Sequence, residues 1–83
     1  MRFSKREKQK NKLLHKEPIS SEEMIRLLEL KGWYPDPNNP QSGSHKQFVN
    51  PETATKVTVP TGRKNLPKGT RDAIINQAGL TGD

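Results

Sequence analysis

Gly43, Ser44 and His45 stand in a row at the start of His45-Lys46-Gln47-Phe48-Val49, a run with the composition of a strand. The chain has two histidines and no cysteine. Histidine is the one side chain that both gives and takes protons near neutral pH. The glycine and the small hydroxyl residue before His45 let backbone and substrate come close to its ring. Further on, Lys64-Asn65-Leu66-Pro67-Lys68-Gly69-Thr70 adds cations and another glycine. One proton-transfer residue among Lys and Arg points to chemistry on a phosphate backbone. RNA carries its own nucleophile, the 2′-OH. An enzyme has only to remove that proton, stabilise charge on the phosphorane and protonate the departing 5′-oxygen. His45 suits the part of general base or general acid. One imidazole does not easily perform both tasks in one turnover, so a second group or a water is required. Lys46 and Lys68 are candidates for phosphate stabilisation, and Ser44 for a hydrogen bond to a phosphate oxygen.

Each of these residues also has a plainer role. A lone histidine on a strand edge ordinarily does nothing; for His45 the Gly-Ser before it and the cations after it favour catalysis only together with the family resemblance given below. Lys64, Lys68 and Arg71 are either phosphate contacts or a solvated helix face. Arg63 reads as solvated. Trp33 reads as core rather than a base-stacking platform, and Phe48 as core by alternation. His15 lies among basic residues and has no partner constellation. Glu22, Glu23 and Glu29 belong to a helix whose dipole and solvation account for them. No thiolates are present and the two histidines fall in different segments, so no metal site is expected. Without a Walker-type glycine loop, nucleotide hydrolysis has no support.

The elements that must position these residues are legible in turn. Residues 1–18 read as a basic N-terminal extension closed by Pro18, flexible or a frayed helix when alone, with Leu13-Leu14 the only apolar pair after Phe3. Ile19 to Gly32 reads as a helix. Ser20 and Glu23 form a capping box, Ile19 can staple onto Met24, and Met24, Leu27 and Leu28 make an apolar stripe. Gly32 suits the left-handed position after the helix. Trp33-Tyr34 reads as a short strand, and Pro35-Asp36-Pro37-Asn38-Asn39-Pro40 as a loop. Residues 44–49 and 56–60 read as two more strands, joined by 50–54, with Val57 and Val59 on one face. Lys68 to Ala78 reads as a second helix with Pro67 at its first position, Ile74, Ile75 and Ala78 inward, and a Schellman ending at Gly79-Leu80. The expected fold is α+β: α-β-β-β-α, a three-stranded antiparallel sheet with both helices on one face. Residues 19–80 form the domain and 81–83 a short tail.

Composition bounds the function. The chain has 83 residues and 28% hydrophobic content, enough for one small, compact core. No apolar run spans a membrane and no signal peptide is visible, so a cytoplasmic protein is expected. Net charge is +6 and unevenly placed. Residues 1–16 carry seven Lys/Arg against Glu7, a net of +6, whereas residues 17–83 carry eight of each sign. Within that part, residues 17–45 sum to −3 and residues 46–71 to +5. A cationic face fits nucleic acid. For residues 1–16 alone, a tail that only aids solubility or binds RNA without specificity is an equally good reading.

Taken in order, Met24-Ile25-Arg26-Leu27-Leu28-Glu29 with Gly32-Trp33, Gly43-Ser44-His45-Lys46-Gln47-Phe48, Val57-Thr58-Val59-Pro60, Leu66-Pro67-Lys68-Gly69-Thr70 and Ile74-Ile75-Asn76-Gln77-Ala78-Gly79-Leu80 resemble the HicA (YcfA-like) family of bacterial toxin RNases. No one of these motifs is specific; the ordered set is. The resemblance implies a fold like the double-stranded-RNA-binding domain and metal-independent cleavage of mRNA without a cofactor. It also implies growth arrest and a HicB-type antitoxin partner. The family's catalytic histidine falls on His45, with Gly43 and Ser44 matching the motif before it. Three features depart from the family pattern. Lys46 stands where many members carry a second histidine, the proline-rich stretch before Gly43 is longer than usual, and residues 1–18 lie outside the common core.

Two functions follow from different classes. One is a metal-independent endoribonuclease toxin in which His45 is essential. The other is a noncatalytic RNA-binding module of the same fold, gripping phosphates and 2′-OH groups. Both predict affinity that weakens with salt. Fold alone does not separate them.

Overall fold

A computed structural model describes residues 5–39 and 43–80. The 81–83 tail, Arg2 and Phe3 of the basic segment, and Pro40 of the proline-rich loop lie outside the described residues. The elements are α1 (Lys5–Leu14), α2 (Ser21–Leu30), β1 (Tyr34–Pro35), β2 (His45–Asn50), β3 (Thr55–Pro60) and α3 (Lys68–Gln77).

Helix α2 starts and stops as its sequence dictates. The Ser20 hydroxyl accepts from the Glu23 amide at 3.1 Å, and the Glu23 carboxylate accepts from the Ser20 amide at 3.0 Å. This reciprocal pair satisfies amides that the first helical turn cannot. Ile19 and Met24, flanking the cap, are both fully buried. At the other end the Gly32 amide donates to Glu29 and the Trp33 amide to Leu28, with Gly32 at φ +89°. That is the Schellman pattern, which needs the left-handed conformation glycine supplies. Because the Trp33 amide serves the helix end, the strand begins one residue later than expected, at Tyr34, and Trp33 is core. Helix α3 ends the same way, with Gly79 at φ +63° and the Leu80 amide on Ile75. At its start Pro67 is the N-cap rather than the first helical residue.

The sheet is antiparallel throughout, in the order β1-β2-β3. Phe48 opposes Val57, and Lys46 opposes Val59. Phe48, Val57 and Val59 are buried on one face, where they join Met24, Leu27 and Leu28 of α2 and Ile74 and Ile75 of α3 in a single core. The alternating residues His45, Gln47 and Val49 oppose Pro60, Thr58 and Lys56 on the other face. The result is the α-β-β-β-α order of the double-stranded-RNA-binding fold, with one open sheet face.

The basic segment takes the helical alternative and packs against the core. Residues 5–14 are a helix, and Leu13 is only 8% exposed within the common core. Arg71 of α3 explains the docking. Its Nη2 donates to the Leu14 carbonyl at 2.6 Å and its Nε to the Lys16 carbonyl at 3.1 Å. Carbonyls at a helix C-terminus lack partners within the helix and carry its negative dipole, so a guanidinium there is doubly favoured. Lys16 also pairs with Glu23. The extension is thus fastened at its C-terminal end by an apolar contact and by charge-assisted bonds.

Candidate active site

His45 is the first residue of β2, and its ring is exposed. The Ser44 hydroxyl lies 3.1 Å from its Nδ1. A hydroxyl both donates and accepts, so Ser44 can serve either ring tautomer and leaves Nε2 to face a substrate. This differs from a carboxylate partner, which would hold the proton on Nδ1.

The turn before His45 is fastened across the sheet. The Thr61 amide donates to the Ser44 carbonyl at 2.8 Å, continuing the β2–β3 ladder past the His45–Pro60 pair. The Thr61 hydroxyl donates to the Gly43 carbonyl at 3.1 Å. Gly43 itself sits at φ +85°, a conformation that L side chains avoid. Gly43, Ser44 and His45 therefore owe their arrangement to Thr61, which no local motif marks. Its role depends on strand register, a long-range property.

From Thr61 the chain runs into a second anchored segment. Ser21 donates its amide to the Arg63 carbonyl at 2.9 Å and its hydroxyl accepts from the Arg63 amide at 3.1 Å. Ser20, Ser21, Glu22, Gly62, Arg63 and Lys64 line a cleft of about 300 Å³ between this segment and the start of α2. Lys64 is exposed there, three residues from Thr61. Lys68 is exposed on the first turn of α3.

Two sequence-expected cations sit differently. Lys46 is half-buried and, by its pairing with Val59, leaves the sheet on the helix-covered side, opposite to His45. Arg71 has its guanidinium on Leu14, Lys16 and Asp72, and its side chain is only 12% exposed. It is a structural clamp for α1 rather than part of a free cationic face.

A polar network beyond the sequence reading orders the loop after β1. Asp36 is buried, and its amide donates to the Gln47 carbonyl at 2.9 Å. Its carboxylate accepts from the Asn38 amide at 2.9 Å, from Asn39 Nδ2 at 2.8 Å and from Lys56 Nζ at 3.3 Å. The Asn38 amide, then Asn39 and Lys56, hold the Asp36 carboxyl below its ordinary value against the opposing effect of burial. Asn39 also bonds Gln47, two residues along β2 from His45.

No curated protein and no solved structure matches the chain. The family model described as HicA toxin of bacterial toxin-antitoxin matches residues 21–80, well over half the sequence, and spans everything from α2 to Leu80. The chain belongs to the HicA family of toxins of bacterial toxin–antitoxin systems.

Proposed function

We propose that this chain is a cytoplasmic endoribonuclease toxin that cleaves mRNA without a metal ion, that residues 19–80 are its catalytic unit, and that a HicB-type antitoxin holds it in check. The observation that carries this reading is the exposed His45 ring bonded through Nδ1 to Ser44, in a chain of the HicA family. In the reaction the 2′-oxygen forms a bond to phosphorus and the bond from phosphorus to the 5′-oxygen breaks. The products are a 2′,3′-cyclic phosphate and a 5′-hydroxyl. His45 Nε2 takes the 2′-proton or delivers one to the 5′-oxygen, and water or another group supplies the complementary transfer. Lys64 and Lys68 contact the RNA phosphates, and Gly43 and Ser44 admit the backbone close to the ring. Lys46, which leaves the sheet on the helix-covered side, is left out of these contacts.

The test is incubation of a long unstructured RNA with the purified chain in EDTA, beside His45→Ala. Fragmentation by the wild type with 2′,3′-cyclic ends, reduced about 10²-fold or more in the variant, is expected for loss of a proton-transfer group. Binding without fragmentation by either protein would overturn the nuclease reading in favour of the noncatalytic RNA-binding module or a degenerate toxin.

A further inference from the structure

We propose that α1 is a docked RNA-binding element, in which Lys5, Lys8 and Lys12 form a stripe that takes backbone phosphates of the RNA; the proposal rests on the RNA reading above for the identity of the polyanion. The three lysines follow an i, i+3, i+7 spacing, so they share one face of the helix. All three are exposed, and none has a carboxylate partner among the described residues. The opposite side of the helix carries Leu13 and Leu14 into the core.

Two observations favour a polyanion, and the chemistry of lysine suits its phosphates. Residues 17–83 carry no net charge, so the attraction of this chain for a polyanion at a distance comes from the segment that holds α1. The helix that bears the stripe is docked at its C-terminal end by Leu13 and by the Arg71 bonds to Leu14 and Lys16, so its backbone needs less ordering on binding than a free tail. Lysine also engages phosphate as a point charge without the directional fit that a carboxylate–guanidinium pair requires. The element precedes residues 21–80, so the family match does not account for it.

The experiment measures affinity of the full chain for a 2′-O-methyl oligouridine across a salt series. This RNA lacks the 2′-OH nucleophile, so binding is read apart from cleavage. Lys5→Gln/Lys8→Gln/Lys12→Gln should lower the slope of log affinity against log salt by about 2, at about 0.7 per lost contact with a single strand. The triple Lys→Arg variant should retain the slope, with helix content unchanged in both. An unchanged slope in the Gln variant overturns the proposal, as does failure of the wild type to bind the oligonucleotide. So does a loss of affinity for polyglutamate with the RNA slope intact, which would make the stripe a contact for an acidic protein. Cleavage of unmodified RNA, measured in parallel, separates the two readings. A wild type that cleaves while the Gln variant keeps its slope sinks only the docking element, and a reduced slope without cleavage sinks only the nuclease.

Discussion

The hydroxyl of Thr61 reaches back across the sheet to the carbonyl of Gly43, while its amide holds the carbonyl of Ser44. The residue that follows β3 thus fixes the turn that aims His45. Thr61→Val keeps the shape and the backbone bond but removes the hydroxyl. Loss of one such bond is worth about 1 kcal/mol, or about fivefold in kcat. KM for RNA should be unchanged and Thr61→Ser should restore the rate. Single-turnover cleavage by the three proteins checks this. A drop in melting temperature with kcat intact would make Thr61 structural only.

Gly43 tests the same turn from the other side. A Cβ built at Gly43 meets nothing within 4 Å, so its cost is confined to the backbone at φ +85°. Gly43→Ala should destabilise by about 1–2 kcal/mol, the penalty for an L residue in the left-handed region. Gly43→Asn should cost less, because asparagine tolerates that region. Urea midpoints of the three proteins provide the comparison. Equal destabilisation by Ala and Asn would place the cost elsewhere than in φ.

Much of this architecture can be read from short-range signals. The Ser20–Glu23 capping box and the glycines at 32 and 79 set helix ends by local chemistry, and the alternation of Val57 and Val59 sets the buried sheet face. These depend on residues a few positions apart. What escapes is set by register and by distant partners. Thr61 becomes important only once β2 and β3 are aligned. Lys46 and His45, neighbours in sequence, part to opposite faces because a strand alternates. Arg71, a plausible phosphate ligand on charge alone, is committed to carbonyls 55 and 57 residues earlier in the chain.

Asp36 gives a pH dependence with a definite sign. Its carboxyl is held below the ordinary value in the fold, chiefly by the Asn38 amide and then by Asn39 and Lys56. The folded state therefore binds a proton less readily than the unfolded chain. The stabilisation is fully present above the unfolded carboxylate range, and it is lost as pH falls through the depressed folded value. Asp36→Asn should flatten the acid limb of the stability–pH curve and leave the neutral side level. Denaturation midpoints across the acid range decide it, and an acid limb as steep in the variant as in the wild type would assign that limb to Glu23, whose carboxyl is lowered by Lys16 and the Ser20 amide.

The docking of α1 makes the last prediction. A flexible extension would contribute nothing to cooperative unfolding, whereas Leu13 lies within the same core as Phe48 and Ile75. Leu13→Ala should destabilise the whole domain by about 2–3 kcal/mol, at the lower end for a leucine deletion because the residue sits at the margin of the core. Arg71→Met keeps the aliphatic stem and removes the bonds to Leu14 and Lys16. It should lower helix content at once and stability by about 1–2 kcal/mol, less than a buried ion pair broken in the interior, since the carbonyls it leaves can turn to water. Amide exchange in α1 should then quicken in both variants while exchange in β2 and β3 follows only global stability. If α1 exchanges as fast in the wild type as in Arg71→Met, the helix is not clamped by Arg71.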